Sequence, residues 1–486
     1  MAARWTLWLF LVCAAGTAHA DDIAGDFSRY VDRLRASRYA SPGFAVVVVH
    51  GERTVFERAY GTRDLARRAP MTLDTPIYTA SATKAYTGLL AAQLDRDGVL
   101  RLDATLRDVW PAMPKPVAFD PAAVRAVALL SHTAGIHEGG VQFRSNVTGQ
   151  IAASDVPTRL AEYAVARETI FRYANFGPFV WSAMAQARTG MPWRDLIAAR
   201  VFMPLGLTRT TARDDTFPQR EMAHCHARWD GRWQALPPKP GEVLNAAGGI
   251  FTSARDAGRF LQAFLTDAAS APASPFRRTW RQEAAQDRDF WGLRRDGYGL
   301  GWDLGSYGEQ RFVARSGGSA GCRSMLLFLP QRRLGVAVLN VGDAGANGFN
   351  AAIVKYAIDA WTHSPDARTY ADAYFAAFEA SAADAFRAAD ALDARRRGWD
   401  DADATLRRAV VGSYENARLG RFDIREKKHA LRLRGGVLDL PLRHVAGDEF
   451  AVAEPGREEA EPLIFVRDTN GSVVAFVWTD DRYERR

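Results

Sequence analysis

Residues 43–61 read GFAVVVVHGERTVFERAYG: an apolar run, a turn at His50-Gly51 and a second run. This is the pattern of a β-hairpin with a buried first strand. Comparable strands return only at Arg323–Pro330 (RSMLLFLP) and Leu334–Val341 (LGVAVLNV), joined by the turn Gln331-Arg332-Arg333. The stretch between is helical from Thr79 to Gly98, and from Pro121 to Arg278 it reads as helices among Pro- and Gly-punctuated loops. Helices are also expected from Ile23 to Tyr39 and from about Asn347 to Trp361. Strands at both ends with helices between predict an α/β (α+β) fold: an antiparallel sheet flanked by terminal helices, with a helical subdomain inserted.

A chain of 486 residues exceeds one ordinary compact domain. Residues 21–362 form the first expected unit. An Ala/Asp/Arg-rich stretch, 363–409, reads as a helical linker with a solvated face. From Val410 to Arg486 short alternating strands with glycine turns take over, including an Asn470-Gly471 hairpin turn, and predict a small all-β barrel or sandwich. At the start, MAAR precedes the apolar run WTLWLFLVCAAGT and Ala18-His19-Ala20. That is the pattern of a signal peptide over residues 1–20, which predicts export to the periplasm or medium. The run is too short to cross a bilayer comfortably, and no later stretch is apolar for long enough, so no transmembrane segment is expected.

The formal charge is +7, yet both signs are interspersed and no basic block carries interleaved aromatics, so no nucleic-acid partner is expected. Beyond residue 20 only Cys225 and Cys322 remain; they can pair in an oxidising compartment but define no disulfide scaffold. Only six of the 63 basic residues are lysine. A lysine at a key position is therefore informative, because it can give up a proton and arginine cannot.

Ser81-Ala82-Thr83-Lys84 opens the first long helix. Residues three apart share a helix face, so the two side chains can meet. Serine is a poor nucleophile until a base takes its proton, and a desolvated lysine can be that base. In isolation the same residues also suit an N-cap serine and a solvated lysine. None of the other five lysines has a serine three residues before it. Tyr173-Ala174-Asn175 is a second candidate: a phenol near a cation can relay protons, and an asparagine amide can hold a carbonyl or fix the lysine. In ARSGGSAG (residues 314–321) the triplet Arg315-Ser316-Gly317 can form an edge strand facing the serine. Its glycines would let a substrate backbone approach, and the Gly318 N–H can join that of Ser81 in an oxyanion hole.

Together these motifs, with LLSHTAGI (Leu129–Ile136), the segment Tyr173–Thr210 and AAGGIFTSARDAGRFLQAFL (Ala246–Leu265), resemble the penicillin-recognising serine hydrolases over about residues 25–362. The closest likeness is the branch of class C β-lactamases, DD-peptidases and family VIII carboxylesterases. The final domain is similar to lipocalin-like β-domains that follow some of these hydrolases. The resemblance implies a cleft between sheet and helical domains, with Ser81 acylated, Lys84 its base partner and Tyr173 the proton relay. Asn175, Arg315, Ser316, Gly317 and Gly318 would bind substrate. The family usually has lysine or histidine at Arg315, whose fork can instead grip a substrate carboxylate. No cofactor is implied and no metal site: His224 and His226 lack a third ligand, and His132 reads as a structural hydrogen-bonder. The expected substrates are a β-lactam, a D-alanyl peptide of the cell wall or a small ester. The competing reading is a catalytically weak penicillin- or peptidoglycan-binding protein.

Overall fold

A computed structural model describes residues 23–113, 118–267, 274–400, 402–452 and 460–486. The expected signal peptide lies outside the described residues. The main sheet has nine antiparallel strands, and strands from near residue 45 and near residue 337 pair side by side within it. Strand Gly43–His50 pairs with Leu334–Asn340 on one side and Arg53–Asp64 on the other. Cys322–Leu329 follows, and beyond it Gln310–Ser319. Three further strands, Asp303–Tyr307, Leu293–Tyr298 and Ala284–Phe290, extend the sheet outward. They carry sequences such as AAQDRDF, whose outer positions face water, so no apolar alternation marks them.

Two cores cover the sheet. On one face Val47, Val49, Leu326 and Leu339 pack with the helix Thr83–Arg96 and the inserted helical region. On the other, Val46, Val48, Leu327 and Val338 meet Phe27 and Val31 of the opening helix and Phe349, Ile353 and Ala357 of the helix Ala346–Trp361. The alternation of Val46 and Val48 with Val47 and Val49 between the two cores is the two-residue strand period made visible. The long helix Ala367–Arg396 also contributes Phe378, Ala382 and Phe386 to the second core. It is therefore a layer of the fold as well as a connection. Residues Gly412–Arg485 form a closed barrel of eight strands around Tyr414, Phe422, Phe450, Phe476 and Tyr483. Closure leaves no sheet edge exposed.

The barrel sits directly against the domain built on the nine-stranded sheet. Buried Arg144 donates from Nε to Arg418 O (2.8 Å) and from Nη2 to Ala417 O (3.1 Å), and the Val437 N–H donates to Thr148 O (2.9 Å). Cys225 and Cys322 are bonded, closing a separation of 97 residues. Such a link typically contributes about 2–4 kcal/mol. Among the described residues no helix is long and apolar enough to cross a membrane.

Candidate active site

Ser81 lies in a single 3-10 turn, Ala80–Ala82, that leads into the helix Thr83–Arg96. Ala80 has φ of +47°, a left-handed conformation that costs a residue with a Cβ about 1–2 kcal/mol. Its neighbours hold it there. Thr79 donates through N–H (3.0 Å) and Oγ1 (2.8 Å) to Ile250 O, and Ser324 Oγ donates to Thr79 O (2.7 Å). The sharp turn leaves Ser81 half-buried at the cleft floor.

Lys84 is one turn further on and only 2 % exposed. Its Nζ meets three acceptors: Asn175 Oδ1 at 2.7 Å, Ala247 O at 2.8 Å and Ser81 Oγ at 3.3 Å. The first two can only accept, so a neutral amine satisfies them with two N–H bonds and aims its lone pair at the serine. Burial, with Arg315 nearby, pulls the ammonium down to about 8. Longer-range contacts fix both acceptors. Gln142 Oε1 accepts from the Asn175 N–H (2.6 Å), Asn245 Oδ1 accepts from the Ala247 N–H (2.9 Å), and Asn245 Nδ2 donates to Ser145 O (3.0 Å).

Tyr173 reaches the serine from the other side, with its hydroxyl 3.0 Å from Ser81 Oγ. Tyr173 as a whole is 37 % exposed, while its oxygen faces the charged floor. Burial alone would raise its pKa, but Arg315 and Lys84 outweigh it and bring the phenol down to about 8. His132, itself left-handed at φ +62°, clamps this residue: its carbonyl accepts from Arg172 N (2.9 Å) and its Nδ1 from Ala174 N (3.3 Å). The ring lies between Tyr173 and Tyr298, with Nε2 3.0 Å from the Tyr298 hydroxyl. An accepting Nδ1 leaves the proton on Nε2, donated to Tyr298. Burial and the charges of Lys84 and Arg315 keep His132 neutral, well below the imidazole range.

His132→Ala is expected to lower kcat by about 10–10²-fold through misplacement of Tyr173. A depressed histidine stabilises the fold fully above its unfolded value of about 6.5 and progressively less below it. The Tm gap between wild type and variant should therefore narrow as pH falls from 7 to 5; a constant gap would show that the histidine's charge state is irrelevant.

Arg315 is the largest departure from expectation. It is 4 % exposed and its fork is committed inside the protein. Nε donates to Ser81 O (3.0 Å), Nη1 to Tyr298 Oη (3.2 Å) and Asp303 Oδ2 (3.3 Å), and Nη2 to Tyr173 Oη (2.5 Å). Four of five N–H groups are thus engaged, and a two-pronged grip on a substrate carboxylate is not available in this arrangement. Asp303 Oδ2 is shared with Arg295 Nη1 (3.1 Å), and Gln286 Nε2 donates to Asp303 Oδ1 (3.0 Å). Ser316 Oγ accepts from Arg295 Nη2 (3.2 Å), and so faces that buried arginine.

The strand Gln310–Ser319 is not an edge strand along its length. Residues 310–314 pair with Asp303–Tyr307. That neighbour turns away after Asp303, so Arg315–Ser319 keeps a partner only at Cys322–Leu329 and its other edge is open. A Cβ on Gly317 would lie 2.0 Å from Thr79 O and 2.9 Å from Ala82 N. This glycine therefore admits the serine turn against the strand, where the sequence suggests room for substrate. Gly318, next along, is exposed.

Sequence reasoning missed Tyr298, Asp303, Arg295, Gln142 and Asn245. The one available signal is GYGLGW (Gly297–Trp302), a tyrosine among glycines ahead of a strand. His226 is used by the fold: its Nδ1 bonds Val341 O and its Nε2 accepts from Leu65 N.

Residues 27–354 match the Beta-lactamase family profile. The chain belongs to the beta-lactamase family. It is thereby a serine hydrolase by class. Penicillin-binding protein 4 of Amycolatopsis lactamdurans is 26 % identical over 332 residues, 65 % of this chain and 85 % of that protein. A beta-lactamase of Escherichia coli K12 is 24 % identical over 334 residues, 61 % and 83 % of the two chains. The octameric penicillin-binding protein homologue from Pyrococcus abyssi shares the fold with a TM-score of 0.59 at 19 % identity, over 94 % of this chain and 99 % of that one. Its coverage takes in the C-terminal barrel region, which the family profile does not reach.

Proposed function

We propose that this beta-lactamase family member is an exported hydrolase that forms an acyl-enzyme at Ser81 on an ester or amide that lacks a carboxylate beside the scissile bond. The observation that carries this is the Ser81 oxygen held between Lys84 Nζ at 3.3 Å and Tyr173 Oη at 3.0 Å, both groups brought to about 8. Near neutral pH such a pair readily gives up one of its two protons, and the vacancy can sit on the lysine or the phenol. In acylation that vacancy takes the Ser81 proton as Oγ bonds the substrate carbonyl carbon. The resulting oxyanion rests on the N–H groups of Ser81 and Gly318. Tyr173 then passes the proton to the departing oxygen or nitrogen as its bond to carbon breaks. Water repeats the sequence and releases the acid, returning Ser81 to its hydroxyl form.

The committed fork of Arg315 favours neutral substrates over penicillins or D-alanyl carboxylates, although relatives are named for the former. The Cys225–Cys322 bond supports an oxidising compartment. Incubation with a fluorophosphonate should add one phosphonyl mass, mapped by digestion to Ser81. A nitrophenyl ester should be turned over faster than nitrocefin or a D-Ala-D-Ala peptide. Labelling at another residue would refute the nucleophile; preference for nitrocefin or the peptide would refute the substrate class.

A further inference from the structure

We infer that the acyl group of the substrate is a hydrophobic peptidyl chain lying in a cavity between the hydrolase domain and the barrel; this rests on Ser81 as nucleophile. The cavity has a volume of about 810 Å³, the size of sites that hold drug-sized ligands, roughly 300–1,000 Å³. Tyr78, Met222 and Ala320 contribute from the hydrolase side, and Leu438, Leu440 and Trp478 from the barrel.

Its position relative to the nucleophile gives the direction. Tyr78 lies three residues before Ser81, and its hydroxyl donates to Gly248 O at 2.5 Å. Ala320 follows the open strand edge that carries Gly318. The leaving group departs toward Tyr173, which Arg315 holds at the start of that edge. Gly318 is three residues on, about 10 Å along an extended strand. A substrate carbonyl between Ser81 and Gly318 therefore points its acyl side away from Tyr173, toward Ala320 and the cavity. Ser81, Tyr173 and Gly318 do not themselves line the cavity, which begins at Tyr78 and Ala320 beside them in the chain.

The wall is mixed: leucines and aromatics supply an apolar strip, and Arg432 and Asp439 at its side are paired with each other. Leu438 and Leu440, two apart on one strand and hence on one face, stay only half-buried beside the barrel's core. Such an apolar surface gains when a ligand removes it from water. Trp478, which also lines the cavity, is packed into the barrel's core. An extended peptide can also pair its backbone with the open edge of Arg315–Ser319, which an alkyl chain cannot.

The test compares the nitrophenyl esters of acetate, octanoate and N-acetylated trileucine, the last with L- or D-leucine at the reacting residue. In wild type, kcat/KM for a trileucyl ester should exceed that for acetate by about 10-fold or more. Leu440→Trp should remove that advantage mainly through KM and leave acetate within about two-fold. Leu438→Ala, which keeps the strand's pattern, should reduce it several-fold and serves if Leu440→Trp fails to fold. A flat series, or equal loss on acetate and trileucine, would overturn the cavity's role. Octanoate outpacing trileucine would overturn the peptidyl assignment. Fluorophosphonate labelling of Ser81 separates failures: intact labelling with a flat series sinks this inference alone, while no labelling sinks the nucleophile.

Discussion

Lys84→Arg should reduce kcat/KM by about 10³-fold, within the range that a positioned acid or base supplies, with the Tm read in parallel to confirm folding. The substitution keeps a positive charge at the same helix position and removes only the capacity to give up a proton. The three contacts of Nζ explain why the loss should be large. Asn175 Oδ1 and Ala247 O occupy two directions as obligate acceptors, leaving the third for Ser81. A guanidinium there presents N–H to the serine at every accessible pH and has no lone pair to offer. Retention of more than about a tenth of wild-type activity would remove Lys84 from the proton path and leave Tyr173 alone with the task.

Arg315→Met should move the acid limb of the kcat/KM profile upward by about one pH unit or more, with activity near pH 7 lower by about 10–10²-fold and partly recovered toward about pH 9–10. The sign follows from what the arginine touches. Its charge lowers both Tyr173 and Lys84, so removing it makes the first proton of the pair harder to lose. The active form then appears at higher pH. A neutral ester and a carboxylate-bearing substrate should suffer alike, because the fork faces Tyr173, Tyr298, Asp303 and the Ser81 carbonyl. Selective loss on the carboxylate substrate, with the pH profile unmoved, would return Arg315 to a substrate-gripping role.

The central strands, the flanking helices and the eight-stranded barrel's region were legible because buried valines, leucines and helical periodicity announce themselves. Strands 284–307 were not. The first, Ala284–Phe290, is charged and mostly exposed, as at Arg288, and the next two bury polar residues such as Arg295 and Asp303 where apolar ones would have marked a strand. The missed site residues Arg295, Tyr298 and Asp303 lie on this same stretch. Ser81, Lys84, Tyr173 and Asn175 were singled out by type and spacing, and the structure brings all four within one cluster of hydrogen bonds. What spacing did not disclose is where a side chain points. Arg315 was visible, but its orientation depends on Asp303, a partner with no sequence signature. Gln142 and Asn245 act on the lysine only through Asn175 and Ala247, a relation that exists in three dimensions alone.

The docking of the barrel has a consequence for how this enzyme can be divided. Gly436, at φ +55°, sits so close to Thr148 that a Cβ would lie 1.8 Å from its carbonyl oxygen. The segment it presses on, 141–150, carries Gln142 and Ser145, which steady the two acceptors of Lys84. Residues outside the 27–354 family match are thus linked to the Lys84 amine through three hydrogen bonds, Arg144 to Arg418 O, Asn175 N–H to Gln142 and Lys84 to Asn175. A chain cut after residue 362 would keep Ser81, Lys84 and Tyr173 yet lose the barrel's contacts with the segment that steadies Asn175 and Ala247, and is expected to turn over substrate more slowly than the full chain.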